Sequence, residues 1–112
     1  MLQITEVDNN YKQSFQIQTE DNKNFNFELE FIENQASWFY SLKYNDVSIN
    51  KKRITTHPNF LRQFQNLLPF GMSCMTEDGS EAFAIDDFSK QRAKLYVLTQ
   101  DEVNNLESAI YG

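Results

Sequence analysis

His57 and Cys74 are the chain's one histidine and one cysteine, so any thiolate–imidazole nucleophile must use this pair, side by side in space. Cys74 lies between Met72 and Met75 in an apolar stretch, which suits a buried small hydrophobe better than an activated thiol. His57 precedes Pro58 at an expected helix start, where an imidazole serves as a loop or capping residue. A single histidine cannot supply HExxH, paired-His or Cys/His ligand spacings, so zinc chemistry has no residues to use. No GxSxG or P-loop occurs, and three glycines could not build GxGxxG. The acidic candidates are Asp86-Asp87 and the run Glu77, Asp78, Glu81. Their spacing is not that of a DxDxDG calcium loop, and adjacent carboxylates on a strand would point to opposite faces. A turn capped by an Asp is the simpler reading; a weak cation site, or a small enzyme using Asp86 or Asp87 with a divalent ion, is the alternative.

The basic clusters are Lys51-Lys52-Arg53 and Lys90-Gln91-Arg92-Ala93-Lys94. Each is either a solvated loop or a dock for an acidic neighbour. With ten basic and 16 acidic residues the net charge is −6, which disfavours phosphate tracking on nucleic acid and binding to anionic membranes. It favours protein contact instead. The row Trp38-Phe39-Tyr40 places aromatics on both faces of one strand, so Trp38 is expected in the core and Phe39 at a contact surface. The 12 Asn and nine Gln add side-chain amides able to pair at wet interfaces without charge. No catalytic set and no cofactor site emerges.

The elements that must position these residues are set by hydropathy patterning. Phe25, Phe27, Leu29 and Phe31 alternate with Asn26, Glu28 and Glu30, the period of a half-buried antiparallel strand. Phe15 and Ile17 alternate with Gln16 and Gln18 before it, and Glu20-Asp21-Asn22-Lys23 makes the hairpin loop. Glu33-Asn34-Gln35 turns into a third strand over Ala36–Tyr44, and Asn45-Asp46 turns into a short fourth through Val47 and Ile49. After Pro58 the spacing of Phe60, Leu61, Phe64, Leu67 and Leu68 predicts an amphipathic helix of about two to three turns, stopped by Pro69 and Gly71. Met72–Met75 and Ala82–Ile85 flank Asp78-Gly79 as an expected hairpin. Lys94–Leu98 is apolar enough for a central strand. Thr99-Gln100-Asp101-Glu102 forms a capping box for a terminal helix with Val103, Leu106 and Ile110 as its stripe. Leu2, Ile4 and Val7 suggest one more short strand.

One cysteine allows no internal disulfide, and no apolar run spans a bilayer. The opening Met1-Leu2-Gln3-Ile4 lacks the pattern of a signal peptide, so synthesis in a cytoplasm is expected. The whole is expected to be a single domain over residues 1–112: mainly β (β-rich α+β), with a twisted antiparallel sheet or partly closed barrel of six to seven strands. A short central helix and a C-terminal helix over 99–112 complete it.

The order of Phe27 and Leu29, Trp38-Phe39-Tyr40-Ser41-Leu42, Val47-Ser48-Ile49, Phe60-Leu61-Arg62-Gln63-Phe64, Leu68-Pro69-Phe70-Gly71, Asp86-Asp87-Phe88 and Lys94-Leu95-Tyr96-Val97 resembles the small baseplate plug proteins of contractile-tailed phages, a family first placed in a cyanophage baseplate. The resemblance covers roughly Phe15 to Leu98 and rests on order and spacing, leaving the terminal helix outside it. Where family members carry a glycine after the acidic pair, Phe88-Ser89 stands here. The resemblance implies a non-enzymatic virion component at the junction of tail tube and baseplate hub. It implies tube, hub or sheath-side baseplate proteins as partners and several copies in a ring; no direct nucleic-acid specificity and no membrane are expected from the charge balance and hydropathy. Phe39, Lys51, Lys52, Arg53, Arg92, Leu106 and Ile110 are the expected contact residues, chosen for amphipathic placement and charge contrast. The alternative is a small acidic inhibitor or immunity-type protein bound to a basic partner.

Overall fold

A computed structural model describes residues 1–111; Gly112, the end of the expected terminal helix, lies outside the described residues. Seven strands run β1 (Leu2–Ile4), β2 (Lys12–Gln18), β3 (Asn24–Ile32), β4 (Ser37–Tyr44), β5 (Val47–Arg53), β6 (Phe70–Thr76) and β7 (Ala93–Thr99), succeeded by helix α1 (Gln100–Ile110). They form two antiparallel sheets, one of order β2-β3-β4-β5 and one of order β1-β7-β6. The period-two alternation of β3 becomes alternate burial, with Phe25, Phe27, Leu29 and Phe31 inward and Asn24 and Asn26 exposed. Across the interior Phe25 stacks on Phe70 with ring centroids 4.1 Å apart, joining the two sheets. Trp38 packs edge-on against both Phe31 and Phe88. Phe88 is therefore a core residue, and the left-handed backbone of the turn that follows falls on Gln91 (φ 64°).

The chain is mainly β with seven strands, as expected, and the strands lie in two facing antiparallel sheets rather than a closed barrel. The division tracks the chain: the meander β2–β5 builds one layer, and the segments on either side of it build the other.

The expected central helix does not form. Phe60 N–H donates to Met72 O at 2.8 Å, and Asn59 Oδ1 accepts from both Leu61 N–H and Met72 N–H. The pair that would close the first helical turn is taken: His57 C=O accepts from Cys74 N–H on β6, and Leu61 N–H goes to the Asn59 side chain. In place of the helix stands a short 3-10 turn, Arg62–Phe64, closed by bonds from Arg62 to Asn59, Phe64 to Leu61 and Gln65 to Arg62. Helical spacing correctly marked Phe60, Leu61 and Leu68 as buried, but their backbone belongs to a sheet-edge strap.

The expected hairpin about Asp78-Gly79 also resolves differently. The turn exists, with Gly79 at φ 78°, but β6 pairs with β7 in unbroken register from Phe70↔Thr99 to Thr76↔Ala93. Ala82–Ile85 is irregular, part of a loop over residues 77–92 held by Arg92. β7 is the central strand of its sheet, as its apolar run implied. α1 starts at the expected capping box, in which Glu102 N–H donates to Thr99 Oγ1 at 3.2 Å and Thr99 N–H to Glu102 Oε1 at 3.0 Å. It lies on the outer side of this sheet, with Val103 buried beside Gly71.

Candidate contact surface

Side chains on a strand alternate, so Ile49 facing inward would also aim Lys51 and Arg53 at the core. A bulge prevents this. Leu42 pairs with Ile49 and Tyr40 with Lys52, so Ser41 alone faces both Asn50 and Lys51. Lys51 takes a left-handed backbone (φ 47°), and its N–H donates to Ser41 Oγ at 3.1 Å. Beyond the bulge the alternation is shifted by one: Lys52 lies on the Tyr40 side, Arg53 opposite Phe39, and Ile54 is buried. Lys51-Lys52-Arg53, expected as a loop, is therefore the end of an edge strand.

Lys52 and Arg53 open onto a cleft of about 510 Å3, bounded also by His57, Asn59, Arg62 and Tyr111. Its wall is a connected set of polar contacts. Asn59 N–H donates to His57 Nδ1 at 2.9 Å, so the neutral ring carries its proton on Nε2, which lies 3.2 Å from Tyr111 Oη. The Arg62 guanidinium stacks over the Tyr111 ring at 3.8 Å, and its Nε donates to Glu107 Oε2 at 3.0 Å. The end of α1 is thereby fastened to the strap that comes after β5. Among the described residues, neither Lys52 nor Arg53 has a carboxylate within salt-bridge distance, whereas Lys12, Lys51, Lys90, Arg62 and Arg92 each do. A concentration of unneutralised positive charge beside a stacked Arg–Tyr pair is chemistry for a carboxylate ligand.

The other expected contact residues are scattered. Phe39 is half-buried on the outer side of its sheet, beside Glu30, which pairs with Lys51 at 3.3 Å. Leu106 lines an apolar groove of about 730 Å3 with Met1, Met75 and Leu98, on the other side of α1, while Ile110 is exposed. Arg92 is turned inward upon its own chain. Its Nε and Nη2 grip both oxygens of Asp87 at 2.8 and 3.0 Å, Nη2 also reaches Glu81 O at 2.6 Å, and Nη1 bonds Asp78 and Ser80. All five of its donors are used.

The residues considered for catalysis have structural partners. His57 and Cys74 are neighbours through backbone, N–H to O at 3.0 Å one way and 3.2 Å the other, while the imidazole is held by Asn59 and Tyr111. Burial pushes the Cys74 thiol up to about 12, reinforced by the charge of Glu81. Asp87 caps the turn through Ala84 N–H at 2.9 Å. Burial works to raise its carboxyl, but hydrogen bonds from Arg92 and Ala84 prevail and hold it below the usual carboxylate range. Asp86 pairs outward with Lys90 at 2.7 Å.

Arg62, Asn59 and Tyr111 escaped the sequence reading as site residues. Tyr111 is far from Arg53 in sequence, and only the packing of α1 against the strap joins them. No spacing signal connects the two.

The fold defines a small two-sheet β protein with a basic cleft at the β5 edge. Its residues 1–101 match the family model described as cyanophage baseplate Pam3 plug gp18, and the chain belongs to that baseplate plug family. The match reaches the N-terminus, further than the expected Phe15–Leu98, and leaves most of α1 outside. No curated protein matches the chain.

Proposed function

We propose that this chain is a non-catalytic structural component of a contractile tail. It sits in the virion at the junction of tail tube and baseplate hub, and its basic cleft receives an acidic segment of a tube, hub or sheath-side baseplate protein. One observation carries the docking mode: in a chain of net charge −6, Lys52 and Arg53 stand unneutralised at one cleft beside Arg62. Desolvating such charges against a carboxylate gives orientation as well as affinity, because unpaired charge opposes any other seating. Phe39, paired with Arg53 from the neighbouring strand β4, adds a half-buried aromatic outside the cleft. Family membership supports the baseplate setting over the inhibitor alternative.

The test is charge reversal. Particles assembled with Lys52→Glu/Arg53→Glu are expected to contain at least roughly tenfold less of this protein by quantitative mass spectrometry. A Lys23→Glu/Lys43→Glu variant, altering total charge equally but away from the cleft, is expected to incorporate normally. Normal incorporation of the cleft variant would contradict the docking mode.

A further inference from the structure

A sheet edge presents unpaired backbone groups, and proteins blunt such edges with charge, bulges, proline or a covering segment. Here β5 carries its bulge and the run Lys51–Arg53, β1 is three residues long, and the free side of β6 is covered by the strap through His57 and Phe60. Among the described residues β2 has only Lys12, at its first position, and none of the other devices. Its register with β3 runs unbroken from Lys12↔Glu30 to Gln18↔Asn24, and residues 13–18 contain no charge and no proline.

The direction of its backbone groups is fixed by the two ends of the ladder. Phe31 N–H donates to Tyr11 O at 2.7 Å, and Thr19 N–H to Lys23 O at 2.8 Å. In an antiparallel pair the hydrogen-bonded positions alternate, so the odd residues of β2 bond to β3. The even residues, Lys12, Ser14, Gln16 and Gln18, then direct N–H and C=O away from the sheet.

We propose that this edge is occupied by the same edge of a second copy of this chain, antiparallel about a two-fold axis at Phe15. In that register Ser14 faces Gln16 of the second copy and Lys12 faces Gln18, so all four outward residues of each strand pair and no like charges meet. Phe15, half-buried at the sheet margin, meets its twin at a position where side chains approach most closely, which supplies an apolar centre. The pairing uses the opposite edge of the sheet from Lys52 and Arg53, so the two surfaces are separately testable.

Sedimentation velocity on the full chain is expected to show concentration-dependent dimers. Ser14→Lys/Gln16→Lys sets lysines opposite one another twice and is expected to weaken the dimer about tenfold. Ser14→Lys/Gln16→Glu pairs opposite charges in this register only and is expected to restore wild-type association or better. Gln16→Pro removes one outward N–H, and is expected to abolish dimers with circular dichroism unchanged. A monomer up to about 1 mM, or dimers indifferent to both charge pairs, would overturn the proposal. Weakening without rescue would overturn the register. If Gln16→Pro fails to fold, the charge pairs still decide.

Discussion

Replacing Arg92 by Met keeps the bulk of the side chain and removes all five donors. Asp87, whose side chain is only 5% exposed, is then left with backbone donors alone, chiefly Ala84 N–H at 2.9 Å. Breaking a buried ion pair from one side costs about 3–5 kcal/mol, and the partly exposed position of Arg92 places this case near the lower bound, about 3 kcal/mol. With a urea slope of roughly 1–3 kcal/mol per molar, the midpoint is expected to fall by about 1–3 M. Trp38, the sole tryptophan, reports directly, because its Nε1–H donates to Ala84 O at 3.2 Å in the loop that Arg92 holds. The pH dependence has a definite sign. Asp87 is held below the ordinary carboxylate range, so its contribution is full above the unfolded value near 4 and is lost as pH falls through the folded one. In the variant the lone buried carboxylate is relieved by protonation. The gap between wild type and variant must therefore narrow in acid. A midpoint change within error at pH 7, or an equal gap at pH 7 and in acid, would refute the assignment of Arg92 as an internal clamp.

Gly71→Ala would bring a Cβ to 2.7 Å from Asn59 Oδ1 and 2.8 Å from Val103 Cγ2, disturbing both the strap and α1. A loss of about 2–4 kcal/mol is expected in thermal melts, and an unchanged Tm would contradict the packing. Cys74, with its thiol raised to about 12 and wholly buried, is expected to resist aromatic disulfide reagents at pH 8 until the protein unfolds; rapid native labelling would contradict its placement. Ala36 closes a 3-10 turn at φ 47°, ψ 48°, a left-handed conformation that glycine adopts without strain. Ala36→Gly is accordingly expected to raise stability by about 0.5–1 kcal/mol in urea melts, and a decrease would show that the methyl group packs usefully.

The meander was legible because each of its strands has one wet face, so burial alternates with sequence position and the turn at Asn45-Asp46 joins paired neighbours. The capping box at Thr99 was legible for a similar reason: its partners lie three residues apart. The strap from His57 to Leu68 misled because helical spacing and a sheet-edge cover bury the same residues. What separates them is the destination of the Phe60 N–H, which lies on a distant strand. The contact residues divide similarly. Lys52 and Arg53 were visible as charge, but the bulge that aims them depends on cross-strand register. Arg92 looked like surface charge because Asp87, its buried acceptor, precedes it within a loop whose course is non-local. Arg62, Asn59 and Tyr111 joined the site only when α1 packed beside the strap.

Zero-length carbodiimide crosslinking inside purified particles, read by peptide mass spectrometry, tests docking at the basic cleft most directly. Lys52 is expected to be joined to an aspartate or glutamate of a tube, hub or other baseplate protein, at a yield reduced when isolated protein is mixed with disassembled particles in high salt. Particles that contain this protein with Lys52 unlinked, or particles that lack it altogether, would contradict that docking.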